Sequence, residues 1–374
     1  MRPHVPLAAL LALGCTGCGT PAGKASAAWT AITAWQGDAP VLRVKTGRPD
    51  ASTGGLQVVG VDDRGRVIHV RFDGETPTAT VLHTHGVRFI GLAVADVDPH
   101  QPGEEIYAGG WLETADGKPR GGVVLQVRMT AQGPSVVEIG RGAGFVHAIE
   151  AVAAAGPDRP ARLVVADYAG SVRTLTPTGT AGPWTDTRLH DEPASVGEED
   201  RKAKEVAVLA PTARGERRAV VLFKGGRAVQ VDVDVPGSGR TVHEEPGGLS
   251  RACDDGAGGC YVCGYAGRVV RLRADGPTLR ADVVWTDPAK ELRGVARGRF
   301  PLAGAEAGSL AVYGYSQVCR VLTTTGAAVV ATDVFRDTAN GHGLVSGDLL
   351  PTRDGDELVL ASYSNRIVVL AAPR

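Results

Sequence analysis

Methionine is nearly absent from this chain, with 2 in 374 residues, and Phe, Trp and Tyr together make up only 5% of it. Set beside 51 Gly and 23 Pro, that scarcity suits many short strands joined by tight turns better than helices. There is no surplus of charge of either sign: the formal net charge of −1 offers nothing to neutralise a phosphate backbone, so nucleic acid is not an expected partner. Polar low-complexity tracts are missing as well, and 43% apolar with 22% charged residues describes a globular chain with a large core. No G-x-S-x-G elbow, phosphate-cradling Gly loop or complete metal motif occurs, so no motif names a substrate.

What is present begins with an address. Arg2 supplies a positive charge, Val5 to Leu13 is a short apolar stretch broken by Pro6, and Gly14-Cys15-Thr16-Gly17-Cys18 follows. That stretch is too short for a bilayer core of about 30 Å and reads as the h-region of a signal peptide. The segment resembles the lipobox of bacterial lipoproteins, which implies lipidation at Cys15 or Cys18. Residues 1–18 are then a lipoprotein-type signal, 19–28 a flexible tether rich in Gly, Ala, Lys and Ser, and 29–374 one domain. The expected location is the cell envelope, periplasmic or surface-exposed, with the membrane engaged through the N-terminal lipid.

Seven hairpins repeat along that domain: LQVVGVDDRGRVIHV (56–70), EIYAGGWLETADGKPRGGVVLQV (105–127), RLVVADYAGSVRTL (162–175), AVVLFKGGRAVQV (219–231), CYVCGYAGRVVRL (260–272), SLAVYGYSQVCRVL (309–322) and ELVLASYSNRIVVL (357–370). Each joins an apolar strand to an alternating one through a Gly, Ser, Asn or Asp turn. Their second strands begin at Val67, Val123, Val172, Ala228, Val269, Val318 and Ile367, close to the roughly 40 to 50 residues that a four-stranded propeller blade requires. An apolar inner strand precedes the hairpins, as in GLAVADVDP (91–99), and an outer strand follows, as in SVVEI (135–139). The expected fold is all-β, a propeller of seven four-stranded antiparallel blades, or six if the first blade is misread. The last blade has no outer strand of its own, and AAWTAITAW (27–35) is spare; pairing the two would close the ring and hide its sheet edges.

Two loops between the first and second strands of a blade, ADVDPHQPGEEIYAGG (95–110) and GDLLPTRDGDELVLAS (347–362), resemble FG-GAP and VCBS propeller repeats. The resemblance implies a calcium-binding loop, with Asp96 and Asp98 in one and Asp348, Asp354 and Asp356 in the other as ligands. His100, Gln101, Thr352 and Arg353 stand where further carboxylates would be expected, and a solvated hairpin loop is the simpler reading.

Strand alternation brings the residues entering each inner strand to one face: Ile90, His147, Lys204, Ser250, Arg293 and His342. The same face receives Tyr168, Tyr265, Tyr315 and Tyr363, with Trp111 near the equivalent position. Cations beside aromatic rings suit an anionic or carbohydrate-like ligand, although repeated tyrosines also serve to pack blade on blade. His147 and His342 with Arg293 are the candidates for acid, base and electrostatic work; no carboxylate is placed beside them. His83 and His85 approach the same rim. Cys253, Cys260, Cys263 and Cys319 form an even set, which in an exported protein favours disulfides. The expected pairs are Cys253 with Cys260 and Cys263 with Cys319. The function these features suggest is an exported, lipid-anchored binding or scaffold protein for a carbohydrate, peptide or protein partner; the alternative is a carbohydrate-active enzyme of lyase or lactonase type.

Overall fold

In the computed structural model, residues 29–373 are described except 99–102, 114–118, 157, 180–182, 277, 290, 302–308 and 326–327; the signal, the tether, Cys15 and Cys18 lie outside them. Twenty-eight strands form seven four-stranded antiparallel sheets. The structure is a seven-bladed propeller, and the six-blade alternative falls away. We letter the strands of each blade A to D from the channel outwards. The A strands are Val41–Gly47, Phe89–Ala95, Val146–Val152, Ala203–Val208, Leu249–Asp254, Leu292–Gly298 and Gly341–Gly347, which number blades 1 to 7.

The ring closes through its own N-terminus. Strand Thr30–Gln36 pairs antiparallel with Arg366–Ala371, from Thr30 opposite Ala371 to Gln36 opposite Arg366, and so becomes strand D of blade 7. Apolar side chains on both faces of strands A to C pack into clusters that span neighbouring blades. One joins Val44, Val58 and Ile68 of blade 1 to Val359, Ile367 and Val369 of blade 7. Strand D, the outermost, alternates exposed and partly buried residues, as Ala328–Arg336 does.

A charged clamp recurs at the blade junctions. An acid just past strand D of one blade meets an arginine of strand C in the next: Glu192 with Arg227, Glu245 with Arg268, Asp287 with Arg320, Asp337 with Arg366, and Asp38 with Arg66. At Asp337 the carboxylate also accepts from Tyr313 Oη at 2.8 Å and Ser362 Oγ at 2.7 Å. These hydrogen bonds outweigh burial and hold its pKa below the ordinary carboxylate range. Between blades 1 and 2 the corresponding place is held by His85, whose ring stacks on Phe89 at 5.0 Å.

Two outcomes follow from this packing. Deleting residues 30–36 should lower the melting temperature of the whole domain in one cooperative transition, and unchanged calorimetric melting would contradict ring closure. Asp337→Ala should cost about 3 kcal/mol in denaturant unfolding, because it leaves Tyr313, Ser362 and Arg366 without their acceptor.

Candidate functional site

Every A strand begins with a β-bulge. Its pairing with strand B skips one residue, at Leu42, Ile90, His147, Lys204, Ser250, Arg293 and His342 in turn. The extra residue of a bulge is released from the pairing and its side chain re-aimed. The sequence-predicted inner ring is therefore one structural position, with Leu42 as its unforeseen seventh member. A second ring lies at the end of strand B, where a backbone N–H reaches back to the residue two places before the bulge. Trp111, Tyr168, Tyr265, Tyr315 and Tyr363 donate in this way to Arg88, Phe145, Gly248, Glu291 and Asn340 at 3.0–3.3 Å. Asp63 and Lys224 take the same place in blades 1 and 4, donating to Pro40 and Lys202.

The predicted cations and aromatics meet across blade boundaries. Lys204 Nζ donates to Tyr168 Oη at 2.9 Å and lies 4.4 Å from the centre of that ring. The Arg293 guanidinium stands between Tyr265 and Tyr315, 4.1 and 4.7 Å from their centroids, and reaches Ser250 Oγ at 3.4 Å. Such contacts hold the blades together and fix the Arg293 cation and the Lys204 amine at the mouth. Tyr363, 40% exposed, is the most open of the tyrosines and packs edge-on to Tyr315. The opposite side of the mouth is apolar, with Leu42, Ile90 and Phe145 covered by Trp111 and Tyr168.

The two histidines behave differently. His147 Nδ1 donates to the Lys204 carbonyl at 2.9 Å, and His342 Nδ1 donates to the Leu42 carbonyl at 2.7 Å, each tying its blade to the next. Burial, then nearby charged groups that include Arg251 and Arg43, pushes both rings well below the usual histidine range, so they are neutral staples. Among the described residues no metal-binding group of three or more His, Cys, Asp and Glu forms, at the mouth or elsewhere. His83 and His85 sit on the rim of blade 1, their ring centres 6.0 Å apart.

One residue deeper lies a feature that the sequence reading passed over. The positions following the bulges are Arg43, Gly91, Ala148, Glu205, Arg251, Gly294 and Gly343, three long charged side chains among four small residues. The long ones converge on the axis: Glu205 pairs with Arg43, and its Oε2 lies 3.7 Å from Arg251 Nε. Arg43 also donates to the carbonyls of Ile90, His147 and Lys204, and Arg251 to those of Lys204, Ser250 and His342. This buried plug closes the channel floor. The signal was available, because an uncompensated charge in the middle of an apolar strand demands a partner.

In the two acidic loops the carboxylates turn to local work. Glu105 accepts from the amides of Val97 and Asp98 and from Tyr107 Oη, while Glu357 accepts from the amides of Leu349 and Leu350. Asp98 pairs with Arg128 and Asp356 accepts from the Arg299 amide at 2.7 Å; Asp96, Asp348 and Asp354 are exposed. The described members of this set do not fit a hard cation, which needs several converging oxygens; His100 and Gln101 lie outside the described residues. The expected disulfides are not formed. All four cysteines are free thiols, and the reason is strand geometry. Cys260 faces the cluster shared with blade 4, Cys263 the one shared with blade 6, and Cys319 the one shared with blade 7. Cys253 stands opposite Tyr261, while Cys260 stands opposite Asp254. Burial pushes all four thiols up, Cys263 to about 12.

No protein-family model matches the chain, which leaves the FG-GAP and VCBS resemblance of the two loops unsupported, and no curated protein matches it. Solved structures do. The WD40 β-propeller domain of Doa1 aligns with a TM-score of 0.64 at 11% identity, over 92% of this chain and 97% of that one. The virginiamycin B lyase of Staphylococcus aureus gives 0.58 at 11% identity over 92% and 98%. BBS1N, solved in complex with ARL6DN, gives 0.61 at 14% over 93% and 98%. At these identities the likeness is one of fold.

Lys204 provides a test of the site's electrostatics. Burial first, and then Arg251 and Arg293, push its amine down to about 6. Between that value and the ordinary ~10.4 the unfolded chain holds a proton that the folded chain lacks, so stability rises with pH across this window. Lys204→Met should therefore melt higher than the parent at pH 7, and its advantage should shrink by pH 9.5.

Proposed function

We propose that this protein is an exported, lipid-anchored binding module that captures a carbohydrate, peptide or protein partner through the bulge-bearing face of its channel. The observation that carries this reading is the division of labour at the mouth. Lys204 and Arg293 are held against Tyr168, Tyr265 and Tyr315, whereas His147 and His342 spend their Nδ1 protons on backbone carbonyls. A bowl with one apolar side and the Arg293 cation beside the Lys204 amine on the other suits recognition of a ligand with an apolar face and an acidic or hydroxylated one. A lyase or lactonase would need a proton acceptor poised over its substrate, and His147 and His342, whose Nε2 is the acceptor left by the Nδ1 bonds, are only 3% and 8% exposed. BBS1N, crystallised with ARL6DN, illustrates a propeller of this fold in complex with a protein.

The anchor is part of the same proposal: lipidation at Cys15 or Cys18 would attach the molecule just ahead of the closing strand. Palmitate labelling of the expressed full chain should be lost in either Cys15→Ser or Cys18→Ser; incorporation unaffected by both would remove the anchor from this picture. For the binding face, the secreted protein should retain specific ligands on glycan and peptide arrays. Arg293→Ala with Tyr363→Ala should weaken them at least about tenfold while leaving the melting temperature within a few degrees of the parent. Retention unchanged in that double variant would move the partner to another surface.

A further inference from the structure

On the other side of the ionic plug the channel widens into a 410 Å³ cavity. It opens on the face of the A-to-B connections, opposite the mouth described above, and all seven A strands contribute to it. Val44, Val94, Val206, Ala252, Ala296 and Leu344 supply apolar wall, and small residues at positions such as 252 and 296 are what leave the space. Charges at its outer end are neutralised in pairs: Lys45 with Glu150, and Arg297 with Asp254 at 3.7 Å. The floor is not neutralised. Arg43 and Arg251, 5% and 4% exposed, share Glu205, the carboxylate that meets either guanidinium among the described residues. His147 and His342 beside them are neutral and add nothing to the balance.

Two buried guanidiniums over one carboxylate leave an excess positive charge at the end of a channel whose wall is about half apolar. An uncompensated buried charge is costly, and a ligand that brings the missing negative charge recovers that cost. We infer that this cavity is a binding site for a small monocarboxylate with an apolar body, its carboxylate directed at the Arg43–Arg251 floor and its body against the valine and alanine walls. Burial and repulsion from Arg43 pull Arg251 down to about 10 despite Glu205, in keeping with a cation that lacks its full complement of counter-charge. The volume falls in the range of small-molecule sites, about 300–1,000 Å³. This site is independent of the one on the opposite face, and either can stand without the other.

Cys253 lines the cavity and is the one partly exposed thiol of the four, which gives the native protein a reporter. Titration calorimetry at low salt with benzoate and hexanoate, each against its uncharged amide, measures binding directly. Alkylation of Cys253, followed by peptide mass spectrometry, places the ligand. Both carboxylates should bind at least about tenfold more tightly than their amides and should slow Cys253 labelling. Ser346→Trp, at the open end, should abolish binding and protection without touching the plug. Glu205→Gln, if it folds, should tighten carboxylate binding by removing the competing negative charge. Equal binding of acid and amide, absence of heat with both carboxylates, or carboxylate binding that survives Ser346→Trp would each overturn the assignment.

Discussion

The antiparallel pairing of Thr30–Gln36 with Arg366–Ala371 is the contact on which the rest of this ring depends. Without it blade 7 has three strands, its outer edge is unpaired, and the apolar cluster shared by blades 1 and 7 loses Ile32, Ala34 and Trp35. Each blade buries its two faces against its neighbours, so the stability of any one of them is borrowed from the next, and the loan is repaid only when the circle is complete. The charged clamps between adjacent blades reinforce the same geometry. They place an acid and an arginine where two sheets already meet, and fix the angle between those sheets by hydrogen bonds as well as by packing.

Closure has a second consequence at the axis. Seven strands meeting around one line leave a channel too narrow for seven large side chains and too wide to be left empty. Four small residues and three charged ones share the position after the bulge, and the charged three reach across to meet. The plug satisfies most of its donors with backbone carbonyls that the bulges release from sheet pairing, so the irregularity at the start of each A strand is used twice. It aims the inner-ring side chains at one mouth and supplies acceptors to the guanidiniums below. Residues on the two sides of the plug accordingly face different environments. One side is a bowl holding the Arg293 cation, the Lys204 amine and aromatic rings, the other a channel with a half-apolar wall and a positive floor.

Much of this is legible in the sequence, because the blade is a local unit. Hairpins such as 162–175 and 357–370 carry strand alternation and turn chemistry within about fifteen residues, and their spacing gave the blade count and left a spare strand to close the ring. The inner ring was legible for the same reason: each member sits at a fixed offset from its own strand. The cysteines were misjudged because pairing them required knowing which face of a strand each side chain takes and which neighbour that face meets. Cys260 and Cys263 are near in sequence yet belong to different inter-blade clusters.

The roles of the histidines and of Arg43, Glu205 and Arg251 were not legible in this way. His147 finds its partner 57 residues away and His342 finds Leu42 across the closure, 300 residues away; Arg43 and Glu205 are 162 apart. The sequence by itself determined the blades and the strand that shuts the ring, and narrowed the number of blades to seven or six, since these follow from short-range alternation repeated at a near-constant interval. Only the tertiary structure decided which polar groups are consumed in holding blades together and which keep charge to offer a ligand. That distinction depends on distances across the central axis, where residues remote in the chain come together and no local period records their meeting.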